Sequence, residues 1–468
     1  MGLAKLPPEL QLLTFYFLVH NYSALYALTR VSKNIRIHAF EVLGTTFDLW
    51  QGKTDDIDLK LCALLHRADA GDRVPRLRIM TTGSDFGDNI IKLASGFKTL
   101  RICFDTRHGR FTPGTQAVPR ATIDFFRRAM QALTGKTPKN TVSWGKNFGL
   151  RKADASMQFI FQALRHVTTL HLGGSTNCLP WNITGTMEML ENLKFTGISN
   201  AKLSYNCVRL AHRPGLKKLE FSNMAIPPTL LEFLPKRPVD SLGGISATEL
   251  YFINCWVPHK SLARIVQAFN GLQRFEYSLS MTVSGAPPYW SRNWHIGEYI
   301  TALHQHRQTL AHLKIVRPEP STDPDHLDCN HIGSLADFTA IESLSINARF
   351  IAPHTDFLQA LAQHQMYCRP WFDTLRNVSA NDAADPMTVL STFPRSLNRL
   401  ELSGCSPTVT TLLLPSIERG RAVGSLRELK IVYAQQPSSG TATRPLTQQE
   451  LDLVGSFKQK GIKLKIHT

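Results

Sequence analysis

Between residues 106 and 153 the chain carries ten Lys and Arg against a single acid, Asp124. Aromatic rings are interleaved with them at Phe111, Phe125, Phe126, Trp144 and Phe148. Cations among aromatics suit phosphate contact and base stacking, and clustered Arg also suits acidic or phosphorylated protein segments. Arg107, Arg110, Arg120, Arg127 and Arg128 make up the candidate anion patch. The bland alternative is a solvated insertion whose Phe125, Phe126 and Met130 pack a helix, expected over residues 121–133, onto the rest of the protein. The segment supplies +9 of a formal +17, so the basic character is local.

The sequence carries no other catalytic signature of the common kinds. There is no G-x-S-x-G elbow and no H-E-x-x-H pair. Gly52-Lys53-Thr54 and Gly135-Lys136-Thr137 lack the earlier glycine of a phosphate loop. His326, Cys329 and His331 could ligate a metal, but no second half-site accompanies them, and a solvated loop is expected. His304, His306 and His312 crowd one helix-to-strand junction and read as surface histidines. Eight cysteines are scattered singly with no C-x-x-C pair, which favours a reducing compartment. Cys255 and Cys405 each follow a strand pattern by three residues and read as structural. The expectation is a protein with no active site, no cofactor and no metal.

What would position the polar residues is a recurring pattern: apolar, two residues, apolar, one residue, apolar. It runs Val167/Leu170/Leu172, Leu190/Leu193/Phe195, Leu216/Leu219/Phe221, Leu272/Phe275/Tyr277, Leu310/Leu313/Ile315, Ile341/Leu344/Ile346, Leu397/Leu400/Leu402 and Leu426/Leu429/Ile431. Weaker copies are Val74/Leu77/Ile79, Phe97/Leu100/Ile102, Ala247/Leu250/Phe252 and Leu375/Val378/Ala380, and Leu464/Ile466 closes the series. The spacing of 22 to 38 residues leaves room for a crossover between strands, with helices expected over residues 262–269, 296–306 and 356–363. Strands joined by crossovers pair in parallel, so the fold class is α/β, a solenoid with a parallel sheet on the concave face and helices on the convex face.

Alternation along each strand turns the last two apolar residues inward and leaves the residue between them on the open face. That row is His171, Lys194, Glu220, Tyr251, Glu276, Lys314, Ser345, Ser379, Glu401 and Lys430. It carries both signs of charge, which counts against a nucleic-acid groove.

Residues 1–46 form a separate helical unit. Leu6-Pro7-Pro8-Glu9-Leu10 opens a first helix, with Leu13, Phe17 and Leu18 at helical spacing. Leu25, Leu28 and Val31 mark a second, and Ser32 can cap a third. Residues 10–19 are apolar enough to suggest a signal-peptide core, but Pro7, Pro8, Glu9 and Gln11 argue against one and no A-x-A site follows. No run reaches the length of a membrane span.

This unit resembles an F-box, through Leu6-Pro7, Glu9-Leu10, Leu13, Phe17-Leu18, Leu25, Leu28, Val31-Ser32-Lys33 and Ile35-Arg36. Asn21-Tyr22 and Asn34 depart from the family pattern. The layout as a whole resembles F-box proteins with degenerate leucine-rich repeats, a fungal type. The resemblance implies a substrate receptor of an SCF-type cullin ubiquitin ligase, its F-box docked on a Skp-type adaptor and its repeats holding a target protein. Leu6, Pro7, Leu10, Leu25, Leu28 and Val31 would then make the adaptor contact. The target is unnamed by the sequence, and the basic insertion leaves an acidic or phosphorylated one open. The other readings are a repeat scaffold without a ligase and, less favoured, a nucleic-acid-associated repeat protein.

The expected division is residues 1–46 for the helical unit, 47–105 for irregular opening repeats, 106–154 for the basic insertion and 155–468 for the repeat solenoid. Cytoplasmic or nuclear placement, away from membranes, is expected.

Overall fold

The structure is a computed structural model. It describes residues 46–49, 99–104, 166–174, 187–197, 210–226, 244–278, 296–316, 334–347, 393–405, 425–433, 446 and 448–467, with single helical positions at Leu28, Asp124, Arg127, Met130, Gln131 and Gln162. The chain forms two compact units, Met1–Leu219 and Glu220–Thr468.

In the first unit the strands are β1 (Thr46–Leu49), β2 (Thr99–Phe104), β3 (Thr169–Gly174) and β4 (Asn192–Thr196). Each pairs in parallel with its neighbour in sequence. β5 (Lys218–Ser222) runs across the boundary between the units. The second unit continues with β6 (Glu249–Ile253), β7 (Arg274–Ser278), β8 (His312–Val316), β9 (Ser343–Asn347), β10 (Arg399–Cys405), β11 (Glu428–Tyr433) and β12 (Lys463–His467). Here too each strand pairs in parallel with the next. The α/β repeat architecture read from the sequence is therefore present in both units: parallel strands in chain order, separated by crossovers.

Registration is one motif against the next. Leu250, Phe275, Leu313, Leu344, Leu400, Leu429 and Leu464 stand in one line, and Phe252, Tyr277, Ile315, Ile346, Leu402, Ile431 and Ile466 in another. All of these are buried except the half-buried Ile466 at the last strand. The first motif residue, at the turn into each strand, is buried as well: Leu272, Leu310, Ile341, Leu397 and Leu426. Three apolar side chains per repeat thus build one layer of core, which the next repeat covers.

A backbone device fixes that register. At the starts of seven strands, β4, β5 and β7 to β11, two successive N–H groups donate to one carbonyl of the preceding repeat. Gln273 and Arg274 share Thr248 O (2.8 and 3.0 Å), Ala311 and His312 share Gln273 O, and Glu342 and Ser343 share Ala311 O. Asn398 and Arg399 share Glu342 O, and Arg427 and Glu428 share Asn398 O. In the first unit Glu191 and Asn192 share Thr168 O, and Lys217 and Lys218 share Glu191 O. A carbonyl has two lone pairs, so both donors are satisfied.

A second regularity lies at the other end of the strand. Gly197, Asn223, Asn254 and Gly404 all have φ between 53° and 65°, and each stands two residues after the last apolar motif residue. Only Gly and Asn adopt this left-handed conformation readily, and it turns the chain off the sheet. The amides of Asn223 and Asn254 donate to Ile253 O and Ser278 O of the following repeat (2.9 and 2.7 Å), and Asn254 Nδ2 donates to Asn223 Oδ1.

The helices stand where expected. α1 (His259–Gln267) starts after Pro258 and buries Leu262, Ile265 and Val266 on one face. α2 (Ile296–Leu303), continued by a 3₁₀ turn at His304–His306, buries Ile296, Tyr299, Ile300 and Leu303. α3 (Gln448–Gln459) precedes β12 and buries Phe457. The phenol of Tyr277 donates to Cys255 O at 3.1 Å and that of Tyr299 to Val257 O, with the two rings stacked at 5.4 Å. Phe221, Phe252 and Phe275 extend the aromatic core.

Two expectations are corrected. β1 has no counterpart among the expected strands, and it pairs directly with β2. The motifs Val74/Leu77/Ile79 and Leu375/Val378/Ala380 lie outside the described residues. His306 is not at the surface. It is buried, with Nδ1 accepting from Leu272 N–H (3.4 Å) and Nε2 donating to Val266 O (3.1 Å), so it ties the 3₁₀ turn to the previous repeat. The helical unit of residues 1–46 lies outside the described residues apart from Leu28, which is helical and half-buried, as does the expected helix at 356–363.

Two outcomes follow for stability. Leu344→Ala should cost about 2–5 kcal/mol in urea unfolding, because β9 sits between two core layers. Ser343→Ala on the opposite face should stay within about 0.5 kcal/mol. Burial pushes the His306 imidazole below its usual range, opposed by its bond to Val266. The unfolded chain then binds the proton first, so stability is unaffected above about pH 6.5 and falls as pH drops below it. His306→Gln should flatten the difference between unfolding curves at pH 5.5 and pH 7.5, and an unchanged slope would exclude His306 as its source.

Candidate functional site

The residues available for chemistry are those on the face opposite the core. In the second unit the middle position of each strand falls in one register line: Tyr251, Glu276, Lys314, Ser345, Glu401, Lys430 and Lys465. A parallel line at the strand starts holds Glu249, Arg274, His312, Ser343, Arg399, Glu428 and Lys463. Adjacent strands lie about 4.8 Å apart, so this is a two-line lattice of side chains at fixed spacing. The sequence-expected residues Tyr251, Glu276, Lys314, Ser345, Glu401 and Lys430 are thus brought onto one face. Lys465, Arg274, Arg399 and Glu428 also stand there. They follow from the same alternation, once Leu464/Ile466 is counted as a full strand and each strand start is included.

Charge neighbours on this face pair with one another. Lys314 Nζ donates to Glu276 Oε1 at 2.6 Å and Lys430 Nζ to Glu401 Oε1 at 2.9 Å. Arg399 Nε lies 2.8 Å from Glu428 Oε2, and Lys465 bonds the other oxygen of the same carboxylate. The hydrogen bond from Lys465, aided by the Arg399 charge, holds the Glu428 carboxyl below the usual range against the effect of its desolvation. The Arg274 guanidinium stands 5.7 Å from the centroid of the Tyr251 ring. The Tyr251 phenol donates to Glu249 at 2.7 Å and, chiefly through desolvation, is raised well above its normal range. Tyr251 cannot serve as an acid or base near neutrality.

In the first unit His171 and Lys194 are register partners on β3 and β4, in line with Asp48 and Arg101 of β1 and β2. His171 is buried and its Nε2 lies 2.8 Å from Thr196 Oγ1. Glu220 on β5 is buried as well. The sequence placed His171, Glu220, Tyr251 and Ser345 on an open surface, and the structure encloses all four. Alternation gives the face on which a side chain stands but not what covers it.

The basic insertion is described at four positions. Asp124, Arg127, Met130 and Gln131 are helical, in line with the expected helix. Met130 is buried, and Arg127 Nη2 lies 3.3 Å from Asp124 Oδ1. Arg107, Arg110, Arg120 and Arg128 lie outside the described residues, as do Leu6, Pro7, Leu10, Leu25 and Val31, Ser379, and the His326, Cys329 and His331 group.

Among the described residues no three His, Cys, Asp or Glu side chains gather as a metal site. No helix among them is long and apolar enough to cross a membrane. Cys255 and Cys405 are buried free thiols whose sulfurs donate to Ile253 O (3.4 Å) and Leu402 O (3.6 Å). Burial pushes the Cys255 thiol up to about 12, which makes it a poor nucleophile. The arrangement is chemically suited to contact over an area, with charges at regular spacing.

Comparison with known proteins adds no relative. No family model matches the sequence, and no curated protein matches it.

The Cys255 assignment can be checked directly. In the folded protein at pH 8, iodoacetamide should leave Cys255 unlabelled over hours and modify it only in step with urea unfolding. Fast labelling in the native state would overturn the inert reading.

Proposed function

We propose that this chain is a non-enzymatic protein-binding adaptor, the substrate receptor of an SCF-type cullin ubiquitin ligase. Its F-box-like residues 1–46 dock on a Skp-type adaptor, and its leucine-rich-repeat-like parallel strands hold a target protein. The observation that carries the reading is the lattice just described. One core pattern repeats with little change, while the residue between its apolar positions changes from strand to strand: Tyr251, Glu276, Lys314, Ser345, Glu401, Lys430. Constant inward positions build the scaffold, and the accessible members of the outward line, Glu276, Lys314, Glu401 and Lys430, read a partner. The F-box-like pattern supplies the second half of the argument, since a unit of about forty residues cannot bury a large core alone and its apolar faces need a partner. A ligase receptor acts by holding its target at high effective concentration near the ubiquitin-charged enzyme, which requires no catalytic group of its own.

The test is co-expression with a Skp-type adaptor and size-exclusion chromatography, beside a variant carrying Leu6→Ala, Pro7→Ala and Leu10→Ser. A one-to-one complex that the variant loses is the expected result. A folded chain that elutes alone would replace the ligase receptor with a free-standing repeat scaffold.

A further inference from the structure

β12 pairs with β11 on one side, and among the described residues no strand lies on its other side. Its outer edge therefore presents backbone N–H and C=O groups that no described strand meets. The apolar layer of this repeat is less enclosed as well. Leu464 is 9 % exposed and Ile466 half-buried, whereas Leu429 and Ile431, their register partners on β11, are at 0 % and 1 %. Leu451 on α3 of the same repeat is 48 % exposed. In a stack of repeats each layer is covered by the next, and among the described residues nothing follows β12 to cover this one.

Charge along this edge has one sign. The outward residues of β12 are Lys463, Lys465 and His467. Lys465 bonds Glu428, two positions back, because its own register partner is Lys430, which is turned to Glu401. Lys463 stands opposite Glu428, but the two oxygens of that carboxylate are taken by Arg399 and Lys465. Lys463 is exposed and its ammonium has no ion-pair partner among the described residues. Elsewhere in the lattice a cation finds its acid on a neighbouring strand, as Lys314 does at Glu276 and Lys430 at Glu401. For Lys463 the acid has to come from beyond β12.

We propose that β12 accepts an extended acidic segment of a partner protein as an added strand. The segment's backbone pairs with the outer edge, and its acids stand opposite Lys463 and Lys465. The apolar residues that alternate with those acids cover Leu464 and Ile466. A second copy of this chain is the poorer occupant, because any pairing of β12 with itself sets cation opposite cation. Nucleic acid is poorer too, since a phosphate backbone has no N–H to donate to the edge carbonyls. Strand addition here rests on the reading of the chain as a protein-binding adaptor, and it names the chemistry of one partner.

Fluorescence anisotropy with the full chain and a fluorescein-labelled nonapeptide of alternating Glu and Val tests it. Saturable binding is expected, weakened about tenfold by Lys463→Glu, which sets an acid against the acids of the peptide. Lys260→Glu, the same charge change at an exposed position of α1, should leave it unchanged. A strand turns alternate amides to its two sides. N-methylation of one alternate set of peptide amides should therefore abolish binding, and methylation of the other set should leave it. Circular dichroism melts identify a variant that fails to fold, and the methylated peptides, which need only the unaltered chain, keep the test alive in that event. No saturable binding, full affinity in Lys463→Glu, or the same response to both methylations overturns the proposal. So does a dimer of the free chain that the peptide dissociates, which would assign the edge to a second copy. A chain that forms the Skp-adaptor complex but ignores the peptide keeps its receptor role and loses only the added strand.

Discussion

The doubled hydrogen bond at the start of seven strands is the constraint on which the rest depends. Two successive amides, such as those of Glu342 and Ser343, share one carbonyl of the previous repeat. A slip of one residue would break both bonds and turn every side chain of that strand to the opposite face. The apolar layers, the left-handed turns at Asn223, Asn254 and Gly404, and the lines of outward residues all presuppose that this register holds. Crossovers of differing length are tolerated because the anchor lies at the strand and not in the loop. The spacing between motifs varies widely while the pairing does not.

The same constraint explains how a face of mixed charge acquires a direction. Strands at fixed spacing bring Glu276 beside Lys314 and Glu401 beside Lys430. In each pair the shorter carboxylate lies closer to the sheet and the longer ammonium reaches outward, as the amphipathic stem of Lys favours. Such pairs contribute about 0–1 kcal/mol each to stability, so their weight in the economy of the protein is in what they present.

Much of this was legible in the sequence. The three apolar positions per motif located β2 through β12, and alternation put Glu276, Lys314, Glu401 and Lys430 on one face. Helix spacing located α1 and α2 within a few residues. What escaped notice has physical causes. β1 carries only the last two motif positions, Phe47 and Leu49, with Gly44 where the first apolar residue would stand. His306 looked like one of three surface histidines because burial of an imidazole depends on acceptors and donors, here Val266 and Leu272, that lie some forty and thirty-four residues away. The Asn or Gly two residues beyond the last apolar position was a readable signal, extending the motif by one conformational requirement. The enclosure of His171, Glu220, Tyr251 and Ser345 was not readable, because no local pattern records what packs above a strand.

Hydrogen exchange on the intact chain would test most directly whether the shared carbonyls hold the face together. Amides of Gln273, Arg274, Ala311, His312, Glu342, Ser343, Asn398 and Arg399 should be protected to the same degree and open together, as one cooperative block spanning β7 to β10. If the amides of Glu342 and Ser343 exchanged at the rate of an exposed loop while β7 and β8 stayed protected, β9 would not be registered in the sheet. The outward line from Tyr251 to Lys465 would then be broken at its centre.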